Sequence, residues 1–135
     1  MKILLDTNVV LDVLLKREPF FEESYTAIKS SIEKGNILYV SASSITDIYY
    51  LLRKAVGSKD KALSYLQALI KVVSIASVDE MTIVEATMSK LNDFEDAVID
   101  TIASSLNIDV IVTRNIKDFK KSLTKVLSPK QLIAI

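Results

Sequence analysis

The chain has 135 residues, half hydrophobic and a quarter charged, with 17 basic and 17 acidic side chains that cancel. That length fits one compact domain spanning 1–135, and a net charge of zero supplies no global basic field of the kind that announces a nucleic-acid binder. There is no Cys and no His, which excludes disulfides, thiolate zinc sites, cysteine nucleophiles, the Ser-His-Asp triad and the commonest metal ligand. Any chemistry must rest on carboxylates, Lys, Arg, hydroxyls and amides.

In chain order, KILL (2–5) is an apolar run that predicts a buried strand ending at Asp6. An acid so early does not suit a signal peptide. No apolar run approaches the roughly 18 residues of a membrane span, so a cytoplasmic protein is expected. VVLDVLL predicts a helix. Pro19 suits the first turn of the next one, in which Phe21, Tyr25, Ile28 and Ile32 keep a helical period and Gly35 marks the stop. ILYV (37–40) predicts a second strand. SASS opens a helix with Ile45, Ile48, Tyr49 and Leu52 on one side. Ser58 can cap a further helix whose Leu63, Leu66, Leu69 and Ile70 face inward. KVVSI (71–75) predicts a third strand. SVDE (77–80) fits a capping box for a helix lined by Met81, Val84, Met88 and Leu91. The acidic stretch NDFEDAVID (92–100) starts a helix running to about Leu106, DVIVT (109–113) predicts a fourth strand, and Val126 marks a weak fifth before a short closing helix, SPKQLIAI. Strands alternating with helices predict an α/β sandwich with a short, largely parallel sheet of four to five strands. Ligands of such sheets bind beyond the carboxyl ends of the strands. Asp6 ends the first strand, and Thr113, Arg114 and Asn115 end the fourth, so these loops are candidates to meet.

The acids carry the chemistry. At about 100° per residue, Asp93, Asp96 and Asp100 share one edge of their helix while Glu95 points elsewhere. Asp47 sits in an otherwise apolar helix, where a lone carboxylate is costly if buried. For each acid there is a plainer role. Asp93 can cap its helix, Asp100 and Glu95 can face water, Asp12 can lie on the surface of the first helix, and Asp47 can pair with Arg53 or Lys54. Asp6 at a strand end is the hardest to explain away. Together, Asp6, Asp47 and Asp96 from three segments describe an acidic pocket. Such a pocket stays ionised only if a cation neutralises it. Oxygen-only ligands suit Mg²⁺ or Mn²⁺, and the matching chemistry is phosphodiester hydrolysis, which then requires no His base. Thr113 and Asn115 can hydrogen-bond a carboxylate or a water there. From Arg114 to Lys130 the chain carries six basic residues and one acid, which suits a phosphate backbone held beside the acids; alone, the run reads as a solvated face.

DTNVVLD (6–12), SSITDIYYLLRK (43–54), DFEDAVI (93–99), TRNIKDF (113–119) and the closing SPKQL (128–132) resemble, in order, the motifs of the PIN-domain ribonucleases. The resemblance implies a three-layer α/β/α sandwich and a Mg²⁺- or Mn²⁺-dependent endoribonuclease, often the VapC-like toxin of a toxin–antitoxin pair. It places Asp6 and Asp96 at the principal metal positions and Asp47 where the family usually has Glu. Asn115 stands where a fourth acid is usual, which leaves Asp93 and Asp118 as candidates for that charge. Thr7, Asn8, Thr113, Arg114 and Asn115 are the neighbouring candidates for supporting or substrate contacts. Asp100 stands where a small residue is usual. An RNA substrate, a cognate antitoxin and a homodimer are the implied partners; Tyr49, Tyr50 and Tyr65 would serve pairing if exposed. The alternative is a catalytically weak PIN-like module that binds RNA or a protein, motivated by Asn115 and Asp47. A phosphatase using Asp6 as nucleophile ranks lower, because no second Asp follows at position 8.

Overall fold

The computed structural model describes residues 1–135. Five parallel strands form one sheet in the order β3-β2-β1-β4-β5. In sequence they are β1 (Lys2–Leu5), β2 (Ile37–Ser41), β3 (Ser74–Ala76), β4 (Val110–Val112) and β5 (Lys125–Leu127). The helices are α1 (Thr7–Leu14), α2 (Phe21–Glu33), α3 (Ala42–Val56), α4 (Lys59–Ile70), α5 (Glu80–Ala86), α6 (Phe94–Ser105) and α7 (Pro129–Ile133), with a 3-10 turn at Ile116–Phe119.

Strand periodicity explains the three layers. Successive side chains point to opposite faces. Ile3, Leu5, Leu38, Val40, Val110 and Val112 therefore pack under α1, α2, α3, α4 and α7. Leu4 and Ile111, the alternate positions, pack with Ala97, Val98, Ile99, Ile102 and Ala103 of α6 and with Phe119. The central strands are covered on both faces, which is why they read as continuous apolar runs. Each fully buried Leu or Ile contributes roughly 1.5–3 kcal/mol by leaving water.

The chain builds outward from β1 to β3 and then returns to the other side of β1 with β4 and β5. The topology thus reverses between β1 and β4, where an open parallel sheet offers its crevice. The register pairs Leu5 with Val112, so the next residues, Asp6 and Thr113, emerge side by side at the carboxyl edge.

Some expectations shift. Pro19 precedes α2 rather than entering it, and the Glu18–Pro19 peptide is cis. The buried residues of α2 are the small Ser24, Ala27 and Ser31, while Tyr25 and Ile32 are exposed. Small side chains let α2 approach its neighbours closely, which the apolar period conceals. α4 runs to Ile70, itself exposed, so β3 begins only at Ser74. The capping box of α5 is Asp79 with Thr82, two residues on from Ser77 and Glu80. Of the face expected on α5, Met81, Val84 and Met88 are exposed; the helix is short and buries only Ala86. Tyr50 is exposed, whereas Tyr49 packs against the core. No helix is long and apolar enough to cross a membrane.

Candidate active site

Asp6 is the hinge between sheet and site. Its backbone is still extended, and its N–H donates to the Val112 carbonyl at 2.9 Å, continuing the β1–β4 ladder. Its side chain then caps α1. Oδ1 accepts from the Thr7 N–H at 2.8 Å, and Oδ2 accepts from the buried Thr113 hydroxyl at 2.7 Å. That hydroxyl in turn accepts from the Asn115 N–H at 3.0 Å. The Thr113 proton is thereby committed to Asp6, which fixes the orientation of the carboxylate. Burial pushes the Asp6 pKa up, the bonds from Thr113 and Thr7 pull it down, and repulsion from Asp118 and Asp93 adds to the rise. The net shift is upward.

α6 delivers the second group of acids. Asp93 is its N-cap and accepts from the Asp96 N–H at 3.0 Å. Asp96 is half-buried, and none of the chain's hydrogen bonds ends on its carboxylate. Burial first, then Asp6, Asp93, Asp118 and Glu95, push its pKa up to about 7. The helix N-terminus should favour an anion there, but desolvation and the crowd of like charges win. Glu95 is also shifted up, by burial and then by Asp47, Asp6 and Asp93, although the Thr7 hydroxyl donates to it at 3.4 Å.

These groups line one open cleft of about 360 Å³ with Asp6, Thr7, Asn8, Arg17, Asp93, Glu95, Asp96, Arg114, Asn115 and Asp118 on its walls. The structure thus brings together the sequence candidates Asp6, Asp96, Asp93, Asp118, Thr7, Asn8, Arg114 and Asn115, with Thr113 bonded behind Asp6. Asp47 is not among the lining residues. It is exposed and makes no ion pair with Arg53 or Lys54; Leu51, one turn on, lines the cleft instead. The effect of Asp47 reaches the site as charge felt by Glu95. Glu95 itself lies in the cleft, against the helical-wheel expectation, because the cleft opens off the end of α6 and first-turn side chains reach it from several angles. Asp100 lies elsewhere and accepts from Ser122.

Asp12 is the residue that sequence reasoning misplaced. It is fully buried, not on the surface. Oδ1 accepts from Arg17 Nε at 3.1 Å and Oδ2 from Arg114 Nε at 2.7 Å. Arg114 also lies 3.8 Å over the Phe20 ring, and an Arg17 Nη donates to the Asn8 carbonyl at 3.2 Å. One buried carboxylate therefore clamps two guanidinium groups into the wall of the cleft. Arg17 carries no signature of its own in the sequence; the available signal is Asp12, which interrupts an apolar run as Asp47 does.

No three carboxylates are already drawn around a common point. The donor set is nonetheless oxygen-only and under-compensated, as the raised pKa of Asp96 shows. It fits a hard divalent ion held through a few carboxylates while keeping its own waters. An acid whose folded pKa lies above its unfolded value stabilises the fold while protonated, and that stability is lost as pH rises. For Asp96 the window runs from its ordinary 3.8 to about 7. The full shift corresponds to about 4 kcal/mol, and partial exposure cuts this to about 2 kcal/mol. Melting without divalent ions is expected to fall by roughly 5–10 °C more between pH 4 and 8 in the wild type than in Asp96→Asn. Mn²⁺ is expected to restore the loss at pH 8 and to do little at pH 4; parallel pH profiles for the two proteins would refute this.

A family model described as PIN domain matches residues 2–117. No curated protein matches the chain. Among solved structures, the chain is similar to one in the VapBC2 complex of Rickettsia felis bound to a promoter DNA fragment. The TM-score there is 0.73 at 20% identity, covering 95% of this chain and 98% of that one. It is similar to one in DNA-bound VapBC of Salmonella typhimurium, with TM-score 0.73 at 16% identity over 96% and 98%. It is also similar to Mycobacterium tuberculosis VapC20, described as a sarcin-ricin loop cleaving toxin, with TM-score 0.64 at 14% identity over 81% and 86%. At these identities the likeness is one of fold.

Proposed function

The chain belongs to the PIN-domain family, and on that premise we propose that it is a Mg²⁺- or Mn²⁺-dependent endoribonuclease, the toxin component of a toxin–antitoxin pair. The observation that carries this reading is the convergence of Asp6 from β1 and of Asp93, Glu95 and Asp96 from the start of α6, with Asp118, on one cleft. Asp6 and Asp96 would hold the ion, with Asp93 or Asp118 beside them and Asp47 adding charge from outside. Such an ion would supply charge neutralisation of these acids, Lewis acidity toward a phosphoryl oxygen and a more acidic water.

The chain's own residues supply the rest. Thr113 holds the Asp6 carboxylate in one orientation. Asn115 fixes the direction of that hydroxyl through its backbone and leaves its amide at the cleft wall. Arg17 and Arg114, steadied on Asp12 through Nε, keep other N–H donors for a phosphate, where guanidinium forks bind well. Thr7 and Asn8 offer further hydrogen bonds.

The test is twofold. Purified protein with Mn²⁺ is expected to cleave RNA, and chelation or Asp6→Asn to stop it; induction in a bacterial host is expected to arrest growth, relieved by Asp6→Asn. Cleavage equal in wild type and variant would sink the reading. The complexes in which the similar structures were solved motivate an antitoxin partner, and exposed Tyr50 is available for a homodimer contact. A second reading, a weakly catalytic module that binds RNA or a protein, gains from Asp47 lying outside the cleft and from neutral Asn115. Tight RNA binding without cleavage at saturating Mn²⁺ would favour it.

A further inference from the structure

The acidic cleft continues into a groove of opposite sign. Asp93 and Asp118 also line a second depression of about 360 Å³, where Lys90, from the connection before α6, meets Lys117, Lys120 and Lys121, from the 3-10 turn and the residues after it. Lys90 and Lys121 in turn line a third depression beside Asp100 and Leu123. The three depressions share walls and form one track.

All four lysines are exposed. None comes within ion-pair distance of an acid, since both ion pairs of the chain end on Asp12. Two separate segments thus bring four exposed ammonium groups to one groove, beside Asp93 and Asp118 but in an ion pair with neither, so their N–H donors are free for an anion. The choice of anion follows from the neighbour. An acidic peptide in this groove would run into the five carboxylates of the cleft. A nucleic-acid strand meets those acids only through a cation and meets the lysines through successive phosphates.

We propose that this groove holds the phosphodiester backbone of single-stranded RNA on one side of the cleavage point, with Lys117 and Lys120 along it and Lys90 and Lys121 at its outer end. The proposal rests on the ribonuclease reading of the cleft. Its contacts are to backbone charge, so it confers grip and direction rather than base preference.

The experiment compares wild type, Lys90→Ala/Lys121→Ala, and a control, Lys59→Ala/Lys71→Ala, whose lysines lie on and just after α4. Cleavage of a single-stranded RNA of about 15 nucleotides with Mn²⁺ is measured against substrate and salt concentration, and binding of the same RNA is followed by anisotropy in the Asp96→Asn background. The groove variant is expected to raise KM roughly tenfold near physiological salt, with kcat within about twofold. The slope of log affinity against log salt is expected to shrink by about 1.4, or roughly 0.7 per lost phosphate contact. The control is expected to match wild type. Wild-type cleavage with KM and salt slope unmoved by the groove variant overturns the groove and leaves the ribonuclease reading intact. Wild type that binds RNA with the expected slope change but never cleaves it overturns that reading and keeps the groove. RNA binding unchanged while binding of polyglutamate is lost assigns the groove to an acidic partner and overturns the proposal.

Discussion

Asp96→Asn is expected to lower RNA cleavage by on the order of a thousandfold and, at the same time, to raise the melting temperature of the ion-free protein at neutral pH. The substitution keeps shape and removes charge. On the proposed mechanism, several kcal/mol of transition-state stabilisation would depend on the cation that this carboxylate would help hold, and each 1.4 kcal/mol or so is a factor of ten. The opposite sign on stability follows from the electrostatics already described. Asp96 carries a pKa pushed up to about 7, so its ionised form strains the fold in the absence of an ion. A variant that merely misfolds loses both activity and stability, and the pairing of a loss with a gain distinguishes the two. Single-turnover cleavage and thermal melts at pH 7.5 in chelated buffer make the measurement. Undiminished cleavage, or a fall in melting temperature, counts against the assignment.

Asp12→Ala is expected to destabilise the protein by about 3 kcal/mol, read as a lower urea midpoint. Breaking a buried ion pair from one side typically costs about 3–5 kcal/mol because the remaining charge is stranded. The low end applies because Arg17 and Arg114 retain side-chain exposures of 38% and 26% and can turn toward water. Asp12→Asn preserves volume and hydrogen-bonding capacity and should cost less. A change below about 0.5 kcal/mol in Asp12→Ala would show that the arginines do not depend on this carboxylate.

The contrast between Asp12 and Asp47 shows how far sequence reading reaches. Both are single acids in apolar helices. Period and composition place strands and helices well, because β1 and β4 are largely unbroken apolar runs and α6 repeats Val98, Ile99, Ile102 and Ala103 at helical spacing. They also place Asp6 and Asp96, since a strand end and a helix start are local features. Which flank of α1 or α3 turns inward is a different matter. It depends on what packs against it: Ser24, Arg17 and the distant Arg114 surround Asp12, whereas nothing closes over Asp47. The same limit explains α2, whose inward face is small residues rather than its aromatic stripe, and Glu95, whose angle about the helix axis matters less than its place at the helix end. The lysine groove was half legible, as a basic run after Arg114, but Lys90 joins it only through the fold.

The side-by-side emergence of Asp6 and Thr113 has a bearing on how the protein is made. The two residues stand 107 positions apart, and the strand that brings Thr113 in is inserted beside the first strand laid down. Contacts of such long range form late, after most of the loop-closure entropy has been overcome. A chain still on the ribosome with β4 inside the exit tunnel has β1 to β3 in hand but no Thr113 to orient Asp6 and no complete α6 docked against Ile111. The site therefore matures only once β4 has left the tunnel and Thr113 has reached Asp6. Chains that end before Val110 are expected to lack both the β4 ladder beside β1 and the hydroxyl that orients Asp6.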